Sequence, residues 1–82
     1  MERKDLESKE KIMIDIQKLE RNLTEVEDIE FEGKEKDVYD RAVDYMNDSK
    51  YYLEKEDMRT AFGCIEYSHG LLDALRMIHG LI

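Results

Sequence analysis

The chain has no proline and no tryptophan, and only one cysteine and four glycines in 82 residues. Without proline, helical patterns can be interrupted only by glycine and by short polar clusters. The lone Cys64 excludes an internal disulfide and reads as a small buried hydrophobe in a reducing compartment. Zinc-ligand spacing, a glycine-rich phosphate loop and a Ser or Cys nucleophile beside a base are missing too. No enzyme and no cofactor are therefore expected. No apolar run approaches a membrane span, and the opening MERKDLESKEK has charge but no following stretch of signal length, so a cytoplasmic location is expected. Amides are scarce: Gln17, Asn22 and Asn47 stand beside abundant Glu and Lys, a bias of thermophile proteins.

Positive charge is also short. Thirteen Lys and Arg face 21 Asp and Glu, for a net charge of −8. Such a surface repels phosphate backbones and anionic bilayers, which argues against nucleic acid and membrane as partners. Hydrophobic residues still make up 41% of the chain and recur periodically, which separates it from a disordered acidic tail. The length allows one domain, residues 1–82, with a core so small that self-association, most simply a homodimer, is expected.

The chain is organised around its last third. At about 100° per residue, a helix over about 58–80 places Met58, Ala61, Ile65, Ser68, Leu72 and Leu75 on one face. Cys64, Leu71, Ile78, Tyr67, Ala74, Gly63 and Gly70 continue the apolar surface, leaving a narrow polar arc of Arg59, Glu66 and Asp73. A helix apolar over most of its circumference needs cover on more than one side. Gly63 and Gly70 each disfavour a helix by about 1 kcal/mol relative to Ala. They predict close approach of another backbone, from the first helix or from a second copy.

The cover lies upstream. Over about 5–30, Ile12, Ile16, Leu19, Leu23 and Val26 form a single seam among charged residues, a long brace helix. Gly33 breaks the period, and Phe31 beside it is expected to fold onto the core. A second helix over about 35–55 carries Val38, Tyr39, Ala42, Tyr45, Met46, Ser49, Tyr52 and Leu53 on one half. Glu56 and Asp57 make a tight turn, with Asp57 as N-cap to the amide of Arg59 or Thr60, so the second and third helices form an antiparallel hairpin. The expected fold is an all-α three-helix bundle. Spacings of Tyr45, Ser49, Tyr52, Ala61, Ile65 and Ser68 make the hairpin similar to a tetratricopeptide repeat, but one hairpin is too few for a peptide-binding array.

A broader likeness runs from about Asp40 to Leu75. Arg41-Ala42, Tyr45, Asp48, Tyr52-Leu53, Asp57, Ala61, Tyr67 and Gly70-Leu71-Leu72-Asp73-Ala74-Leu75 resemble a family of small archaeal helical proteins of unknown function, some carrying the domain beside a nucleotidyltransferase-like one. That family pattern has Gly-Asp at the hairpin turn and an alanine before the histidine, where this chain has Glu56-Asp57 and Ser68. The resemblance implies an archaeal, cytosolic three-helix domain and brings no activity or catalytic residues.

Two groups of side chains could bind something. Glu66 and His69 form a Glu-x-x-His pair as in di-iron bundles, and with Asp73, doubled in a dimer, they would make a metal or small-ligand site. The competing reading is a histidine bonded to a carboxylate such as Asp73, itself paired with Arg76 or Arg41. The second group is the row Asp37, Asp40, Asp44 and Asp48, three or four residues apart, which is a docking face for a basic partner, a weak divalent-cation surface or simply a solvated helix face. Asp48, at its edge, is expected to bond into the hairpin. Helical RNA nucleases share the hairpin but need an Arg and His at a spacing that Arg59–His69 and Arg76–His79 do not provide. The leading expectation is a non-enzymatic helical protein-interaction or assembly module, with the dimeric metal or small-ligand bundle as its alternative.

Overall fold

The computed structural model describes residues 2–82, with side chains from Ser8 onward. Three helices follow one another: α1 (Glu2–Glu25), α2 (Lys34–Glu54) and α3 (Met58–Ile78). Both α1 and α2 pack on α3 and touch each other least, which makes α3 the central element. No strand occurs among the described residues. This is the expected all-α bundle, with a brace helix laid on an antiparallel hairpin.

The seam of α1 reaches the core at the expected residues. Ile12, Ile16, Leu19 and Val26 are buried and Leu23 is half-buried. The helix stops at Glu25, five residues before the expected Glu30, because the backbone tightens into turns: the amides of Val26, Glu27 and Ile29 donate to the carbonyls three residues back. Val26 thus packs from a turn rather than from the helix. Phe31 does fold onto the core, stacked on Tyr39 at 5.4 Å between ring centroids and edge-on to His79 at 5.2 Å. His79 in turn bonds Glu35 at 2.6 Å, tying the end of α3 to the start of α2. Gly33, immediately before α2, has φ 58 and ψ −129, a conformation close to glycine's own.

The hairpin holds the densest packing. Ala42, Met46, Ser49 and Leu53 of α2 meet Ala61, Ile65, Ser68, Leu72 and Leu75 of α3, all buried. Alanine and serine at the contact let the two backbones come close enough for side-chain hydroxyls to reach the opposite helix. Ser49 donates to the Ala61 carbonyl at 2.8 Å, and Ser68 to the Ala42 carbonyl at 2.5 Å. No buried side-chain polar atom among the described residues lacks a partner. Asp57 caps α3 as expected, accepting from the Thr60 amide at 3.2 Å and the Thr60 hydroxyl at 2.7 Å.

Candidate functional site

The cover predicted for α3 is incomplete. Gly63 and Gly70 face outward, and a Cβ built on either would meet nothing within 4 Å among the described residues. The described part of the first helix is therefore not the backbone that approaches them. Gly63, Gly70 and Ala74 share one arc about 180° from the buried Leu72, and Tyr67, Met77 and Ile78 flank it. These three are 51%, 66% and 65% exposed. Tyr67 leans on Tyr45 of α2 with centroids 4.6 Å apart, which holds its ring along the edge of the glycine track. Of the nine large exposed hydrophobics among the described residues, six lie between Phe62 and Ile82, so the uncovered apolar surface belongs to α3 and the residues after it.

The row Asp37, Asp40, Asp44 and Asp48 is exposed along α2. Asp40 pairs with Lys36 at 3.1 Å, a solvated contact one turn apart on the same helix. Asp48 corrects the expectation of a bond into the hairpin: it is exposed and has no hydrogen-bond partner among the described residues. The adjacent Ser49, turned one position further inward, makes that bond instead.

Glu66, His69 and Asp73 are divided by the structure. His69 and Asp73 line a cleft of about 470 Å³ between α1 and α3, together with Lys18, Arg21, Asn22 and Arg76. Glu66 is exposed and outside that lining. The histidine's partner is not a carboxylate: its Nε2 donates to the main-chain carbonyl of Asp15 on α1 at 2.8 Å. Asp73 accepts from Arg76 at 2.9 Å, while the Arg76 Nε donates to Glu25 of α1 at 3.0 Å. The Glu25 bond, with Asp73 second among the stabilising partners, raises the guanidinium further above its ordinary value. Among the described residues no group of three His, Cys, Asp or Glu side chains is placed to hold a metal ion. Within one chain the three candidates are thus a structural histidine, an ion-paired aspartate and a solvated glutamate.

The cleft's other cations, Lys18 and Arg21, were not among the sequence candidates. Their signal was present but faint: two basic residues three apart on the flank of the α1 seam, in a chain short of positive charge. Only the pairing of α1 with α3 reveals that they line one cleft with His69.

Residues 15–81 match the protein family described as Protein of unknown function (DUF357). The chain belongs to this family. The match takes in the C-terminal part of α1 as well as the hairpin, so the seam from Ile16 onward and the cleft between α1 and α3 lie within the family's extent. A search of curated proteins finds no match. No helix among the described residues is long and apolar enough to cross a membrane.

Proposed function

We propose that the chain is a non-enzymatic, cytoplasmic assembly module that pairs with a second copy of itself through the outer face of α3. The observation that carries this reading is the open space at Gly63 and Gly70. Each glycine weakens the helix by about 1 kcal/mol relative to alanine, and among the described residues nothing packs close enough to require either one. A second backbone lying across them does. The flanking Tyr67, Met77 and Ile78 supply the apolar rim such a contact would bury.

Charge favours a second copy over an unrelated acidic surface. Two chains of net charge −8 repel over most orientations, but the glycine track is uncharged and its polar edge is mixed, with Arg59 beside Glu66 and Asp73. An antiparallel two-fold crossing that sets Gly63 of one copy against Gly70 of the other brings each Arg59 to the level of the other copy's Asp73. The contact is then self-complementary, as an isologous interface requires. The acidic row Asp37, Asp40, Asp44 and Asp48 stays in water, open to a basic partner protein.

Light scattering across a range of concentrations tests the reading. The parent chain is expected to be a dimer, and Gly70→Leu a monomer of unchanged helix content, since the leucine enters open space within one chain and overpacks only an interface. A parent that stays monomeric at high concentration, or a Gly70→Leu variant that stays dimeric, would overturn it. Stoichiometric Fe, Mn or Zn in protein purified without added metal would favour the Glu66, His69 and Asp73 alternative instead.

A further inference from the structure

We propose that the cleft between α1 and α3 binds a small phosphate, recognised by Lys18, Arg21 and the Nδ1 atom of His69. The site lies on the opposite side of the glycine track from Tyr67 and does not depend on dimer formation.

The first argument is the distribution of charge. In a chain where acids outnumber bases 21 to 13, the cleft is lined by three cations, an amide, a histidine and one acid. That acid, Asp73, is already paired with Arg76. Glu25, the acid one turn after Arg21, holds Arg76 instead, and Asp15, one turn before Lys18, is outside the cleft lining. Neither Lys18 nor Arg21 has a salt-bridge partner among the described residues. Like charges three apart on one helix repel by a few tenths of a kcal/mol. A dianion placed between them converts that repulsion into attraction.

The second argument is the orientation of His69. Its Nε2 carries the proton given to the Asp15 carbonyl, which fixes the ring and leaves Nδ1 as an acceptor in the neutral imidazole. Nδ1 has no partner among the described residues and is not sealed from solvent, since buried polar atoms without partners are absent. An acceptor among cations selects an anion that also carries a proton to donate. Monohydrogen phosphate is the simplest such species: its charged oxygens meet Lys18 and Arg21 while its P–OH donates to Nδ1. Sulfate, with the same charge at neutral pH and no hydroxyl, lacks the last contact. The open, polar cleft suits a single phosphoryl group on a small soluble molecule. A nucleic-acid backbone or an anionic bilayer would bring the whole acidic surface against it.

The test is a titration of isotope-labelled protein with inorganic phosphate and, separately, with sulfate, at pH 8 and constant ionic strength, followed by NMR. Saturating shifts at Lys18, Arg21, Asn22 and His69 are expected, with sulfate bound about fivefold more weakly, the worth of one hydrogen bond. Lys18→Ala combined with Arg21→Ala, both at exposed positions, should abolish saturation while the fold is kept. His69→Ala should equalise the two anions. Shifts that grow linearly, that scatter over the molecule, or that are the same for phosphate and sulfate in the parent protein would overturn the proposal. Anionic vesicles and a short RNA serve as the other arms, and tighter binding to either than to phosphate would likewise reject a small-molecule site.

Discussion

Ser49 and Ser68 stand on facing helices, and each donates its hydroxyl proton to the carbonyl of the alanine one heptad before the other: Ser49 to Ala61, Ser68 to Ala42. All four residues are fully buried. The reciprocal pair fixes the register of the hairpin, because sliding α2 by one turn would separate both hydroxyls from their acceptors together. Each carbonyl sits within its own helix, so the serine bond is a second one, and its loss strands no acceptor. Ser49→Ala and Ser68→Ala should therefore each lower stability by only about 1 kcal/mol. Ser68→Leu, which inserts three carbons where the helices touch, should lower it by several times as much. Urea unfolding of the three variants checks the order, and a mild Ser68→Leu would contradict the close contact.

The ends of α2 and α3 are built alike, which gives an internal comparison at Glu56. After α3, Gly80 takes φ 72, its amide bonds the Met77 carbonyl, and the Leu81 amide reaches Arg76 at 2.8 Å. After α2, Glu56 takes φ 62, its amide bonds Leu53, and the Asp57 amide reaches Tyr52 at 2.9 Å. Both are the helix stop in which the residue after the cap is left-handed, a place that suits glycine and strains a side chain by about 1 kcal/mol. Glu56→Gly should thus stabilise the protein by about that amount, readable as a rise in melting temperature. A fall would mean that the glutamate side chain contributes something beyond the hydrogen bonds described.

Much of this fold was legible from period alone. The α1 seam, the α2 half-face and the buried face of α3 each repeat at helical spacing, and the Asp57 cap follows from a carboxylate placed before an apolar run. The candidate site was less legible because its residues come from different helices. His69 was read with its sequence neighbours Glu66 and Asp73, whereas its bond goes to a carbonyl of α1, and a main-chain atom leaves no mark in sequence. The glycines read as a place where another backbone approaches, the first helix or a second copy, and the described residues leave both positions open, which removes the described part of the first helix from that reading.

Arg76 links the end of α1 to α3, with a side chain only 14% exposed and bonds to Glu25 and Asp73. Since α1 meets the rest of the molecule mainly along one seam, this pair is expected to hold its last turn. The acids are 42% and 45% exposed, which limits the contribution to about 1 kcal/mol. Arg76→Met should lower stability by that amount, less so in high salt, and speed amide exchange near Leu23–Glu25 more than in α2. Equal acceleration everywhere would show that the link is not local.

Cys64 is half-buried on α3, and its thiol is pushed above its ordinary value first by burial and then by the charges of Asp48 and Asp57. The thiolate is the reactive form, so alkylation at pH 8 should run well below the rate of a free cysteine, and Asp48→Asn should raise it. The folded state holds the proton more tightly than the unfolded chain. Stability from this group is therefore intact below the ordinary value and falls as pH rises from about 9 upward. Cys64→Ala should remove that part of the alkaline loss, and an unchanged alkaline slope would assign it to other groups.

Alanine at the two outward glycines separates the chain from its assembly. In one chain Gly63→Ala and Gly70→Ala place a methyl in open space on an exposed helix face, which should stabilise the fold by about 1 kcal/mol each through helix propensity. In a dimer crossing at those positions the same methyls hold the two backbones apart. The variants should then unfold at higher denaturant concentration when dilute, yet dissociate at higher protein concentration than the parent. Opposite signs in the two measurements are the mark of glycines kept for a partner. Stabilisation with no change in association would leave the track without a second copy, and destabilisation of the dilute chain would mean that some part of the same chain covers the glycines.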